Sequence, residues 1–82
     1  MASYRLLIKP SAVKEIEALP KTDRRRVVAK IESLAGNPRP PGCEKLSGHD
    51  QYRVRQGSYR ILYSIEDRNL VVRVGHRREV YR

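Results

Sequence analysis

Apolar and polar residues alternate at the start of the chain. Residues 4–9 place Tyr4, Leu6 and Ile8 on one face of an extended segment. A period of two residues is typical of a β-strand with one buried face. Pro10 follows directly and ends the strand, because proline lacks the N–H that a sheet requires.

The pattern then changes to a helical period in two consecutive segments. The first, 11–19, begins with Ser11, whose hydroxyl is suited to cap a helix, and it ends before Pro20. Its apolar stripe consists of Ala12, Ile16 and Leu19. The second helix, 24–35, follows the capping signal Thr22-Asp23 and precedes Gly36, which suits a left-handed position after a helix. Its stripe consists of Val27, Val28, Ile31, Leu34 and Ala35.

The second half returns to alternation after a proline-rich connector. Residues 37–42 contain three prolines, which exclude a helix or a central strand. Three strand-like segments follow, at 51–56, 59–65 and 70–75, joined by short turns at 57–58 and 66–69. The predicted order is therefore β-α-α-β-β-β. We expect an α+β fold in which a helical hairpin packs on one face of a small antiparallel sheet.

The length and the residue inventory limit the possible classes. With 82 residues, the chain is expected to form a single domain over 1–82. No apolar run approaches the roughly 20 residues of a membrane helix, and no signal peptide is visible at the N-terminus. One cysteine, Cys43, and two distant histidines, His49 and His76, provide no metal-ligand spacing. We therefore expect a cytoplasmic protein that uses no metal or cofactor and no membrane partner.

The charge points to a polyanionic partner. The net charge is +9 at neutral pH, and residues 53–82 carry eight arginines and no lysine. Arginine grips phosphate with two parallel hydrogen bonds and stacks on bases, which lysine does not do. Tyrosines interleaved with these arginines, Tyr52, Tyr59, Tyr63 and Tyr81, favour single-stranded RNA if they face the same side; otherwise they belong to the core.

Several motifs resemble a known family. Tyr52-Arg-Val-Arg55, Gly57-Ser-Tyr-Arg-Ile-Leu-Tyr63 and Val74-Gly-His-Arg-Arg-Glu-Val-Tyr-Arg82 are similar to the RelE branch of the RelE/ParE toxin superfamily. Lys45-Leu-Ser-Gly48 and the helical hairpin with Leu19-Pro20 at its bend add to the likeness. The resemblance covers essentially the whole chain, and the strand motif paired with the C-terminal motif is its most specific part.

The resemblance implies a toxin that an antitoxin keeps inactive. RelE-like toxins cut mRNA in the ribosomal A site, where the ribose 2′-oxygen attacks the adjacent phosphate without a metal. By position, the implied catalytic residues are Arg60, Arg77, Tyr81 and His76, and the implied RNA-binding residues are Arg53, Arg55, Arg78 and Arg82. The implied partners are an acidic RelB-like antitoxin, the ribosome and mRNA. Operator DNA is a further candidate partner, but only of the toxin–antitoxin complex.

The chain departs from the family pattern at the proposed proton acceptor. Arg53 and Arg55 stand where the best-known RelE pattern has lysines, and arginine stays protonated at any working pH. The group that takes the 2′-OH proton is therefore open, with His76 favoured over Glu79 because imidazole titrates near neutral pH. Arg78 is an alternative to Arg77 as the functional arginine of the C-terminal motif.

Two other functions remain compatible with the sequence. A ParE-like protein that poisons DNA gyrase shares the fold but is not expected to need a cluster of phosphate-clamping arginines. A catalytically weak module that binds RNA or an antitoxin also fits, because the proton acceptor is unassigned.

Overall fold

A computed structural model of the protein describes residues 3–46 and 51–76, with side chains up to Val74 in the second range. Five strands and two helices lie in these ranges. In chain order they are β1 (Arg5–Ile8), α1 (Pro10–Glu17), α2 (Lys21–Gly36), β2 (Glu44–Lys45), β3 (Gln51–Gln56), β4 (Tyr59–Glu66) and β5 (Asn69–His76). Neither helix in this part of the chain is long and apolar enough to cross a membrane.

The strands form one mixed sheet in the order β1-β5-β4-β3-β2. Strands β2 to β5 pair antiparallel, as short turns require, whereas β1 pairs with β5 in parallel. The helices carry the chain from β1 at one edge of the sheet to β2 at the other edge, and the antiparallel strands that follow bring β5 back beside β1. The α+β class and the helical hairpin are confirmed, but the sheet is mixed and not wholly antiparallel as expected, because its first and last strands run parallel. The two-residue strand β2 was not predicted, because it is too short to show alternation.

Both helices cover one face of the sheet, and the core lies between these layers. The helices contribute Val27, Ile31 and Leu34, all at most 1% exposed. The sheet contributes Ile61, Leu70 and Val72, which are 0% exposed. Burial of such side chains contributes about 1.5–3 kcal/mol each.

The predicted helix starts are wrong at both helices. Helix α1 begins at Pro10, with Lys9 as the capping residue, so Ser11 lies inside the helix. Proline is favoured at the first helical position, because its fixed φ suits the helix and its missing N–H has no partner there. Helix α2 likewise begins at Lys21 after Pro20 rather than after Thr22-Asp23. Asp23 does lie in the first turn, where a carboxylate complements the helix dipole.

The predicted end of α2 is also corrected. Gly36 is the last helical residue, and the chain leaves through Asn37 with an extended φ of −148°. Among the described glycines, the left-handed positions are instead Gly42, with φ of 90°, and Gly57, with φ of 62°, both in turns. Val28 was predicted on the buried stripe but is 36% exposed, because the adjacent position Val27 faces the sheet.

Tyrosines attach the proline-rich connector to the core. The Tyr63 hydroxyl donates a hydrogen bond of 2.5 Å to the Pro38 carbonyl. The Tyr63 ring stacks on Tyr52 with 5.6 Å between centroids, and Arg39 Nε donates to the Tyr52 hydroxyl at 2.9 Å. Burial, and then the neighbouring Cys43 thiol, raise the pKa of Tyr63. The connector is thus held in place by hydrogen bonds as well as by its prolines.

We expect Tyr63→Phe to lower the free energy of unfolding by about 1–2 kcal/mol, because the Pro38 carbonyl loses its donor. Chemical denaturation at neutral pH measures this loss. Tyr4→Phe is the matched control, since no hydrogen bond of the Tyr4 hydroxyl is found among the described residues. Equal stability of the two variants would contradict the role of the connector contact.

The contribution of the Tyr63 hydroxyl to stability should depend on pH. The folded-state pKa of Tyr63 lies above the value near 10 of an unfolded tyrosine, so the unfolded chain releases this proton first. The stabilisation is complete below about pH 10 and declines as the pH rises further. The stability difference between the wild type and Tyr63→Phe should therefore shrink above about pH 10.

Candidate nucleic-acid interface on the open sheet face

The sheet face opposite the helices, called the open face below, collects charged side chains by strand alternation. Along β4, Ile61 and Tyr63 point to the helices, so Arg60, Leu62 and Ser64 share the open face. The strand register then defines two rows across the sheet. One row consists of Glu44, Arg53, Leu62 and Arg73, and the other consists of Arg55, Arg60 and Gly75.

Arg60 and Arg55 lie directly opposite each other on β4 and β3. Like charges at such a pair of positions repel, so an anion near both guanidinium groups relieves the repulsion. Arg55 is exposed, whereas Arg60 is only 7% exposed. On its other side Arg60 pairs with Gly75, which adds no side chain to the row. The pair therefore places one exposed and one desolvated cation at directly opposite positions of two neighbouring strands.

Arg53 already has a carboxylate partner. Glu44 Oε1 accepts hydrogen bonds from Arg53 Nη2 at 2.7 Å and from Arg53 Nε at 3.2 Å. The Arg53 side chain is 11% exposed, but that of Glu44 is 53% exposed. The arginine of this ion pair is thus more buried than its carboxylate partner.

The positive charges of three arginines lower the pKa of Glu44. It is held below its usual value mainly by the hydrogen bond and the charge of Arg53, and further by the charges of Arg55 and Arg60. Glu44 is therefore an anion that is stabilised by the combined positive charge of the three arginines. A phosphate group at the same position experiences the same attraction.

The structure brings together three of the predicted site residues: Arg53, Arg55 and Arg60. His76 ends β5, and its backbone pairs with Tyr59, next to the Arg60–Gly75 pair. The other predicted site residues, together with Glu79, lie outside the described residues: Arg77, Arg78, Tyr81 and Arg82.

Of the two alternatives for the tyrosines among the arginines, the core position is confirmed for three of them. Tyr52 and Tyr63 are 6% and 2% exposed and belong to the core. Tyr59 packs against the same cluster, and its hydroxyl donates to Asp23 Oδ2 at 3.3 Å. Alternation separates tyrosine from arginine along each strand, so these rings face the helices. On the described part of the open face, the candidate contacts to nucleic acid are therefore arginines and not tyrosines.

Two residues of the open face were not identified as candidates from the sequence. Glu44 gave no signal, because the two-residue strand β2 looks like loop. Arg73 lies in the predicted strand 70–75, and alternation there would have placed it opposite the buried Leu70 and Val72. The register adds that it lies across from Leu62, in the row of Arg53.

The chain is similar in sequence to a known protein family and to an archaeal protein. Residues 6–81 match the family described as the ParE toxin of the type II toxin–antitoxin system parDE. A Methanocaldococcus jannaschii protein named RelE1 is 32% identical, covering 93% of this chain and 91% of that protein.

Solved structures agree with this assignment. The isolated E. coli RelE toxin has a TM-score of 0.78 and 31% identity, covering 96% of this chain and 92% of that one. The intact E. coli RelBE toxin–antitoxin complex has a TM-score of 0.79 and 26% identity, covering 90% of this chain and 96% of that one. The chain therefore belongs to the ParE toxin family of type II toxin–antitoxin systems and, within the RelE/ParE superfamily, to the RelE branch.

Proposed function

We propose that this toxin is a ribosome-dependent endoribonuclease that cleaves mRNA in the A site and so inhibits translation. The observation that supports this best is the strand register, which places Arg53, Arg55 and Arg60 at neighbouring positions of the open face, with Glu44 beside Arg53. A phosphate that undergoes attack gains negative charge in the transition state, and a cluster of cations stabilises that charge.

The proposed chemistry requires three functions. Arg60 stabilises the phosphate oxygens, and its low exposure strengthens that interaction because water screens it less. Arg77, or Arg78 in its place, forms the second half of the clamp, and Tyr81 orients the substrate. His76 or Glu79 takes the 2′-OH proton. Arg53, Arg55 and Arg82 hold the RNA backbone.

Glu44 has a different role in this proposal. A carboxylate with a lowered pKa is a weak proton acceptor, so Glu44 is not assigned as the base. It acts instead as an internal counter-ion that neutralises Arg53 until RNA binds. A cluster of arginines on a small sheet is easier to tolerate in the free protein with such a partner.

The proposed inhibitor is an acidic RelB-like antitoxin. The E. coli relative forms a complex with its antitoxin, and a net charge of +9 favours an acidic chain that folds on binding. Such a chain would compete with mRNA for the arginines of the open face.

A reconstituted translation system with a stalled ribosome and a defined mRNA tests the cleavage. We expect new 5′ ends on the ribosome-bound message but not on naked mRNA. Arg60→Ala should reduce cleavage by about 10²–10³-fold, as the removal of a transition-state donor does in other enzymes. Arg68→Ala, in the exposed β4–β5 turn, is the matched control and should retain activity.

Circular dichroism and thermal melting establish that the Arg60→Ala protein is folded. Arg60→Lys keeps the charge but loses the planar fork, and we expect activity between the two. Full activity of a folded Arg60→Ala protein would contradict the proposed role of the cluster. The match to the ParE family makes gyrase poisoning the second candidate, which covalent gyrase–DNA complexes with intact mRNA would support.

We expect Glu44→Gln to strengthen binding of a single-stranded RNA oligonucleotide severalfold, because Arg53 becomes available to phosphate. One added phosphate contact should steepen the slope of log affinity against log salt by about 0.7. Fluorescence anisotropy over a salt series measures both quantities. Glu32→Gln makes the same change in charge on the exposed side of α2 and should leave the slope unchanged.

The difference in RNA affinity between the wild type and Glu44→Gln should depend on pH. The lowered pKa keeps Glu44 ionised to a lower pH than an ordinary glutamate, so the difference in affinity between the wild type and Glu44→Gln should persist below the pH at which an ordinary glutamate becomes neutral. It should disappear only at lower pH, when Glu44 itself becomes neutral. Identical behaviour of the Glu44 and Glu32 variants would contradict the role of counter-ion.

A further inference from the structure

A small cleft lies on the open face beside the arginine cluster. Its volume is about 180 Å³, and its lining includes Leu62 and Val71, which are half-buried. Leu62 lies directly across from Arg53 in the strand register, and Val71 lies across from Ser64. Leu62 is also two residues along β4 from Arg60, a distance of about 6.6 Å by strand geometry.

The size and the apolar walls of the cleft fit one planar ring. A cavity of about 150 Å³ is known to hold benzene, whereas sites for drug-sized ligands begin at about 300 Å³. Leu62 and Val71 offer apolar contacts to a ring that lies against the sheet. The cleft is therefore large enough to hold the base of one nucleotide.

The polar residues that line the cleft include both positive and negative charges. Arg73 and Lys9, both exposed, line the cleft together with the carboxylate of Glu66. Glu66 Oε2 accepts a hydrogen bond of 2.8 Å from Ser64 Oγ. A carboxylate has about four acceptor positions, so others remain for a ligand. Phosphate is attracted to the two cations and repelled by Glu66, while an amino group is attracted to Glu66.

We propose that this cleft is a base-binding subsite that selects nucleobases with an exocyclic amino group, cytosine over uracil. The N4 amino group of cytosine donates to Glu66, whereas the O4 atom of uracil presents a second acceptor to that carboxylate. Arg73 and Lys9 bind the phosphate of the same nucleotide. The inference rests on the proposed ribonuclease function, since it places this nucleotide next to the phosphate that Arg60 clamps.

Titration of the full chain with 5′-CMP and 5′-UMP, followed by ¹H–¹⁵N NMR, tests the subsite without a ribosome. We expect CMP to bind about tenfold more tightly than UMP, which corresponds to about 1.4 kcal/mol. The largest shifts should occur at the amides of Leu62, Ser64, Val71 and Arg73. The two nucleotides differ only in the base, so the ratio of their affinities isolates base recognition from phosphate binding.

Substitutions of the residues that line the cleft separate their contributions to nucleotide binding. Glu66→Gln should bring the CMP-to-UMP ratio to about one, because an amide both donates and accepts. Glu32→Gln, the same substitution on α2, should keep the ratio at about ten. Leu62→Ala should weaken both nucleotides to a similar extent. Arg73→Gln should do the same through loss of the phosphate contact, and Arg68→Gln is its control.

Equal affinities for CMP and UMP in the wild type would overturn the inference. So would shifts confined to the Arg55–Arg60 pair, which would mean phosphate binding only, or an occupant of the cleft that proves to be a peptide of the antitoxin rather than a nucleotide. The failures are distinguishable. Loss of mRNA cleavage with the CMP preference intact would count against the proposed function alone. Cleavage without the preference would count against the subsite alone.

Discussion

The alternation of β4 between two pairing strands is the constraint on which the other features depend. Because β4 lies between β3 and β5, a single register assigns every side chain of the three strands to one of two faces. Ile61 and Tyr63 enter the core, so Arg60 must lie on the other face together with Arg55. A shift of one residue would bury the arginines against α2 and expose the tyrosines. Core packing and the arginine cluster are thus consequences of the same register.

Electrostatic repulsion within the cluster has a structural cost that the chain offsets locally. Arg55 and Arg60 face each other, and Arg53 lies one row away, so the free protein holds three positive charges at short range. Glu44 compensates by hydrogen bonding to Arg53 while remaining exposed itself. An exposed carboxylate is easily exchanged for a phosphate oxygen, whereas a buried one would resist exchange. This arrangement stabilises the free protein without closing the site to an anionic ligand.

The helical side of the sheet contributes by holding the strands rigidly in place. Tyr52 and Tyr63 stack on each other, and their hydroxyls bind Arg39 and Pro38 of the connector. Tyr59 binds Asp23 in the first turn of α2. These contacts explain why tyrosine rather than phenylalanine occupies this core: each hydroxyl reaches a polar partner at the edge of the buried layer. A small domain gains both stability and a fixed sheet from them.

The sequence by itself determined the local structure of this protein and the identity of its family. The periods of two and 3.6 residues depend only on neighbouring positions, so they predicted α1, α2 and the hairpins of β3, β4 and β5. The arginines Arg53, Arg55 and Arg60 could be named from the same alternation and from the resemblance to RelE toxins. The parallel pairing of β1 with β5, the Glu44–Arg53 ion pair and the cleft beside Leu62 were decided only by the tertiary structure. Each depends on residues distant in the chain whose approach is set by sheet order, which no local pattern encodes.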